Sequence, residues 1–187
     1  MTIDPQLATT LFEVADAGRW GVSRAMFVQA LQASAEKRFG DGPVSPDALA
    51  TYLRTLHLQD LALACACAAG HERAWQHFVG AYRAVLVRAA DAITRNEGGQ
   101  ELADSLHAEL FGVTARGAAR PSLFRYFHGR SSLATWLRAL LAQRHVDRVR
   151  ERRRADPLPE EDSPAALASP AREAEPDRVR FILAMRA

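Results

Sequence analysis

Trp75, Phe78, Val79, Tyr82, Val85, Leu86, Ala89 and Ile93 recur at steps of three and four residues. That spacing puts all of them on one stripe of a helix about five turns long. An apolar stripe of this length must be covered by other apolar faces. The remaining sequence agrees, because no alternating apolar–polar run exceeds four residues. Such alternation is what a half-buried strand would need.

Helix starts are written along the chain. Asp4-Pro5 opens a first helix, Ser23 a second, and Ser45-Pro46-Asp47 a third. Gly18, Gly21 and the stretch Gly40 to Pro43 punctuate them. Residues 1–60 therefore read as a helical N-terminal extension. Asn96 to Gly99 ends the long apolar helix. A shorter one follows, with Leu102, Leu106 and Leu110 one turn apart and Glu101, Asp104 and Glu109 on other faces. Gly112 to Pro121 breaks the pattern. After Ser122-Leu-Phe-Arg-Tyr-Phe-His-Gly-Arg130, either Ser131 or Ser132 caps a last long helix through Leu133, Trp136, Leu137, Leu140 and Leu141.

Hydrophobic residues at 48% and charged residues at 25% suit a soluble globule and exclude a disordered chain. No apolar stretch reaches membrane-spanning length. Met1 to Thr10 carries Asp4 and no Lys or Arg, unlike a secretory signal. The expectation is a cytoplasmic protein without a membrane partner. Cys65 and Cys67 lie two apart, roughly 200° around a helix, so they cannot bond to each other. His71 is nearby, but no second ligand pair follows at zinc-finger spacing. Small helix packers are the simpler reading, and no metal or cofactor is expected. Six scattered histidines and the adjacent linker carboxylates Glu160 and Glu161 form no catalytic constellation, so no enzymatic activity is expected.

Charge is unevenly distributed. Arg138 to Arg154 holds seven arginines against two acids, whereas Ala155 to Pro176 holds six acids against Arg172 alone. Such asymmetry marks a nucleic-acid contact beside a solvated linker. On a helical wheel, Arg144, Asp147 and Arg148 continue the apolar face of the last helix, where Arg144 and Asp147 can bond each other. Arg138, His145 and Arg152 step by seven and fall together off that face. They are the candidates for duplex DNA. Phe124, Tyr126 and Phe127 can be core. Beside Arg125 and Arg130 in a Gly-bounded loop, they can equally stack unpaired bases while the arginines hold phosphates. Prolines 157, 159, 164, 170 and 176 make residues 155–176 an acidic linker, and a helical pattern restarts over 177–187.

From His71 to Arg154 the chain resembles the promoter-melting domain of bacterial sigma factors of the extracytoplasmic-function type. Glu72-Arg-Ala-Trp75 with Phe78 and Tyr82 resembles that domain's opening helix, and Gln100 to Phe111 its polymerase-docking helix. Phe127-His-Gly-Arg-Ser-Ser-Leu-Ala-Thr-Trp136-Leu137, followed by Arg144-His-Val-Asp147 and arginines, is similar to the family's most specific segment. The resemblance implies an all-α compact helical bundle over 61–154, preceded by the 1–60 extension. It makes 177–187 the start of a truncated C-terminal helical domain. It further implies binding to core RNA polymerase through Glu101, Asp104 and Glu109. Promoter DNA would be bound through Arg125, Tyr126, Phe127, Arg130, Arg138, His145 and Arg152, single-stranded in the minus-ten region and duplex beside it. An anti-sigma factor is a further partner class the family allows. The chain departs from the family at Asp104-Ser105, where Gln-Glu is usual, and in the long Gly112–Pro121 break. A sigma-like interaction module that regulates polymerase without reading promoters is the alternative.

Overall fold

Three helix starts are capped as their sequences dictate. The Leu7 amide donates to Asp4 Oδ1 at 2.8 Å, the Met26 amide to Ser23 Oγ at 3.2 Å and the Ala48 amide to Ser45 Oγ at 3.2 Å. They open α1 (Pro5–Val14), α2 (Arg24–Phe39) and α3 (Pro46–Arg54). Then follow α4 (Leu58–Ala68), α5 (Glu72–Thr94), α6 (Gly99–Phe111) and α7 (Leu133–Ala155), with 3-10 turns at Ala17–Trp20 and Leu123–Tyr126. The fold is an all-α helical bundle. This computed structural model describes residues 2–40, 42–95, 98–112 and 121–155. The expected restart at 177–187, the linker beyond Ala155 and the interior of the 112–121 break lie outside those residues. Among the described residues, no helix is long and apolar enough to cross a membrane.

Residues Met1–Glu151 form one compact unit, and a second begins at Arg152. The boundary expected after residue 60 falls inside α4, and the reason is the composition of that helix. Leu58, Leu61, Ala62, Leu63, Ala64, Ala66 and Cys67 are all buried, so α4 is apolar nearly all round and lies inside the bundle. Helices α1 and α2 pack on one side of it and α5 on another, while the loop that precedes α7 crosses it. The N-terminal helices thus reach the long α5 chiefly through α4. A direct contact also exists between Trp20 and His77, whose rings lie 4.8 Å apart. Phe27, Leu31, Leu53, Leu61, Phe78 and Leu106, each fully buried, belong to one continuous core. Burying each of these side chains contributes about 1.5–3 kcal/mol.

Cys67 is buried within α4, and its carbonyl accepts the Trp75 indole Nε1–H at 2.9 Å. Burial pushes both thiols up to about 12, so neither is a thiolate nucleophile near neutral pH. Trp75 in turn meets Phe78, His107, Phe111 and Phe124 at ring separations of 5.0–6.0 Å. This aromatic cluster is the inner wall on which the loop before α7 rests.

Candidate nucleic-acid interface

The aromatic and basic segment begins at Ser122, a buried residue whose hydroxyl donates to the Leu110 carbonyl at the end of α6. The same oxygen accepts from the Phe124 amide at 3.3 Å and so starts the 3-10 turn Leu123–Tyr126. One turn of this kind cannot point three successive aromatic rings the same way. Phe124 turns inward, 2% exposed, and packs edge-on to Phe78 at 5.0 Å. Phe127, 4% exposed, packs against Trp136 of α7 at 5.3 Å. Tyr126 turns outward and is 64% exposed. Of the three candidate stacking rings, Tyr126 alone has a face open to solvent. Phe124 and Phe127 are core residues as the loop stands, Phe127 despite its assignment to DNA. Arg125 and Arg130 flank the tyrosine, and both are exposed.

The turn is fastened from the N-terminal side. The Ser34 hydroxyl donates to the His128 carbonyl at 2.7 Å, and the His57 amide donates to the Gly129 carbonyl at 2.8 Å. Gly129 has φ +70°, and a Cβ there would stand 3.4 Å from Leu61 Cβ of α4. Glycine is therefore favoured by its backbone conformation, while the added carbon would make only ordinary van der Waals contact. At the start of α7, the Leu133 amide donates to Asp60 Oδ2 at 2.8 Å and the Thr135 amide to Ser132 Oγ at 3.2 Å. Ser132 rather than Ser131 supplies the local cap, and Asp60 supplies a second one from α4. Asp60 also accepts from the Tyr82 hydroxyl at 3.4 Å; burial first, and then the Asp60 carboxylate, push the phenol up to about 12.

Beside the turn lies a cleft of about 370 Å³ between α2, the end of α4 and the loop. Met26, Ala30, Ala33, Cys65, Phe124 and Phe127 give it an apolar floor, and Gln29, Arg125 and His128 a polar rim. Burial, and then the cations Lys37 and Arg130, hold the His128 imidazole below its usual range, so this rim residue stays neutral more readily than a solvated histidine.

On α7, the residues continuing the apolar face are committed to internal ion pairs. Arg144 grips Glu109 of α6 in a two-pronged pair, its Nε donating at 2.9 and 3.1 Å and Nη2 approaching to 2.7 Å. It also reaches Asp147 at 3.7 Å, and Arg148 reaches Glu101 at 3.7 Å. Glu109 thus holds α6 to α7, and its carboxylate is already satisfied within the chain. The partner of Arg144 lay hidden in the sequence, 35 residues away. Asp104 is exposed and accepts from the Gln100 side-chain amide at 2.9 Å. Arg138 is exposed and His145 half-buried, one above the other on the outer side of α7. Arg152 is also exposed but falls in the second unit, so within the first unit that face is carried by Arg138 and His145.

The two acidic contacts differ enough to be separated by mutation. Glu109→Ala removes a part-buried, two-pronged partner and is expected to cost about 1–2 kcal/mol in urea unfolding. Glu101→Ala, where the carboxylate side chain is 75% exposed, is expected to cost under about 0.5 kcal/mol. Equal costs would mean that the Glu109–Arg144 geometry contributes nothing beyond an ordinary surface pair. Compared with protein-family models, with curated proteins and with solved structures, the chain matches none.

Proposed function

We propose that this chain acts as a sigma factor: it binds core RNA polymerase and recognises and melts the minus-ten element of a promoter. The observation that carries the proposal is the outward-facing Arg125-Tyr126 pair with Arg130, held on a loop fastened at both ends. A rigidly mounted aromatic flanked by cations is suited to unpaired bases, since the ring stacks on a base while guanidinium groups meet phosphates. Duplex DNA offers no open base face, so the loop favours a strand already separating. On the outer side of α7, Arg138 supplies a cationic group for adjoining duplex phosphates, and the His145 ring lies on the same face as a hydrogen-bonding group.

Polymerase docking through α6 rests in this reading on Glu101 and Asp104, the more exposed acids. Glu109, engaged by Arg144, serves to set the angle of that helix. The reading is tested by assembling the chain with core RNA polymerase on a promoter library and probing unpaired thymines with permanganate. Reactive thymines upstream of the start site are expected in the presence of the chain and absent without it. Polymerase binding without any reactive thymine would favour the alternative, a module that regulates polymerase without reading promoters. Absence of both would overturn the proposal.

A further inference from the structure

We infer that Ser34, with Tyr52 behind it, is a positioning residue for the nucleic-acid-facing loop, so that the N-terminal helices set the geometry of the interface without touching the strand; this rests on the DNA reading above. Ser34 is fully buried, and its side chain is one of only two polar ones in the described core. Helix α2 has no need of it, since a buried serine in a helix interior contributes less than alanine. Its bonds run outward from the helix instead. The Ser34 hydroxyl donates its single proton to the His128 carbonyl at 2.7 Å. Its lone pairs then face the Tyr52 hydroxyl at 2.8 Å, which also lies 3.1 Å from the Ser34 carbonyl. Tyr52 is oriented by Phe39, whose ring crosses it edge-on at 5.3 Å.

The proton order is fixed by this chemistry. A carbonyl can only accept, so Ser34 must donate to His128, and the one Tyr52 proton is shared between the Ser34 hydroxyl and carbonyl oxygens. The chain of donors points one way, from α3 through α2 to the loop. It ends one residue before Gly129, whose carbonyl is held by the His57 amide. Two consecutive loop carbonyls are therefore fixed by residues of the first sixty, between the exposed Tyr126 and the exposed Arg130. Releasing the first of them frees the tyrosine and its neighbouring arginine to swing, while the aromatic cluster beneath stays intact.

The test compares the wild-type chain with Ser34→Ala and Tyr52→Phe. Amide hydrogen exchange is followed over residues 126–131, and binding of a single-stranded oligonucleotide and of a duplex by fluorescence anisotropy. Ser34→Ala is expected to speed exchange in the loop about tenfold, the equivalent of one lost hydrogen bond. It is expected to weaken single-strand binding about five- to tenfold and to leave duplex binding unchanged. Tyr52→Phe, which keeps the ring and the packing, is expected to move the same readouts in the same direction by a smaller factor. Unchanged loop exchange in both variants would overturn the proposal. So would acceleration spread evenly over α2, α3 and the loop, which is the signature of general loosening. If the wild-type chain binds no single strand, the DNA reading falls, and the exchange measurement alone still decides whether Ser34 positions the loop.

Discussion

Phe124→Ala is expected to destabilise the protein by about 3–5 kcal/mol, the range for removing a buried phenylalanine ring. The ring is 2% exposed and has aromatic neighbours on several sides: Trp75 at 5.5 Å, Phe78 at 5.0 Å and Trp136 at 6.1 Å. These neighbours belong to α5 and α7, so the cavity left behind sits where two helices and the loop converge. Rigid helices collapse poorly into such a space, which places the cost towards the upper part of the range. Thermal or urea unfolding of the purified variant measures it. A loss below about 1 kcal/mol would show that the ring is not the keystone of that cluster. Any effect of this variant on DNA would follow from lost folded population and would scale with the unfolded fraction.

Tyr126→Ala is expected to do the opposite. With 64% of its surface exposed, the tyrosine adds little to the core, so the unfolding midpoint should stay within experimental error. Single-strand affinity should fall by about 1–3 kcal/mol, or roughly five- to 150-fold, if one base stacks on the ring. Tyr126→Phe keeps the stacking face and should retain most of the affinity. Anisotropy with a labelled oligonucleotide, at one fixed salt concentration, separates these outcomes. Unaltered affinity in Tyr126→Ala would remove the aromatic from the interface and leave only its arginine neighbours there.

The contrast between two aromatics two positions apart marks the limit of what was legible in the sequence. Phe124 and Tyr126 belong to one short string of similar residues, and composition alone allows either to face solvent. The 3-10 turn decides between them, and its start depends on the Ser122 hydroxyl reaching the end of α6. Helix starts at Asp4, Ser23 and Ser45 were readable because a cap and the amide it accepts lie within one turn of each other. The long α5 was readable from its stripe. Helix α4 was not readable as the centre of the bundle, because an all-round apolar helix of eleven residues has no periodic signature. The pairing of Arg144 with Glu109 and the capping of α7 by Asp60 were likewise invisible, since each joins residues far apart in the chain. The wheel did separate Arg144 and Asp147 from Arg138 and His145, and the ion pairs of α7 follow that division.

The fastening of the loop also has a kinetic side. The bond from Ser34 spans 94 residues of chain and that from Asp60 spans 73, whereas most contacts in a helical bundle are local. Closing such long spans carries an entropic cost that local helix formation does not. The loop's geometry is therefore among the last features to settle, after the helices that hold it have docked. A ribosome-bound chain that has not yet released residue 133 has α4 in hand but nothing to cap with Asp60. The surface proposed to meet DNA is thus presented only by a finished fold, and a partly folded copy has no shaped loop with which to compete for the strand.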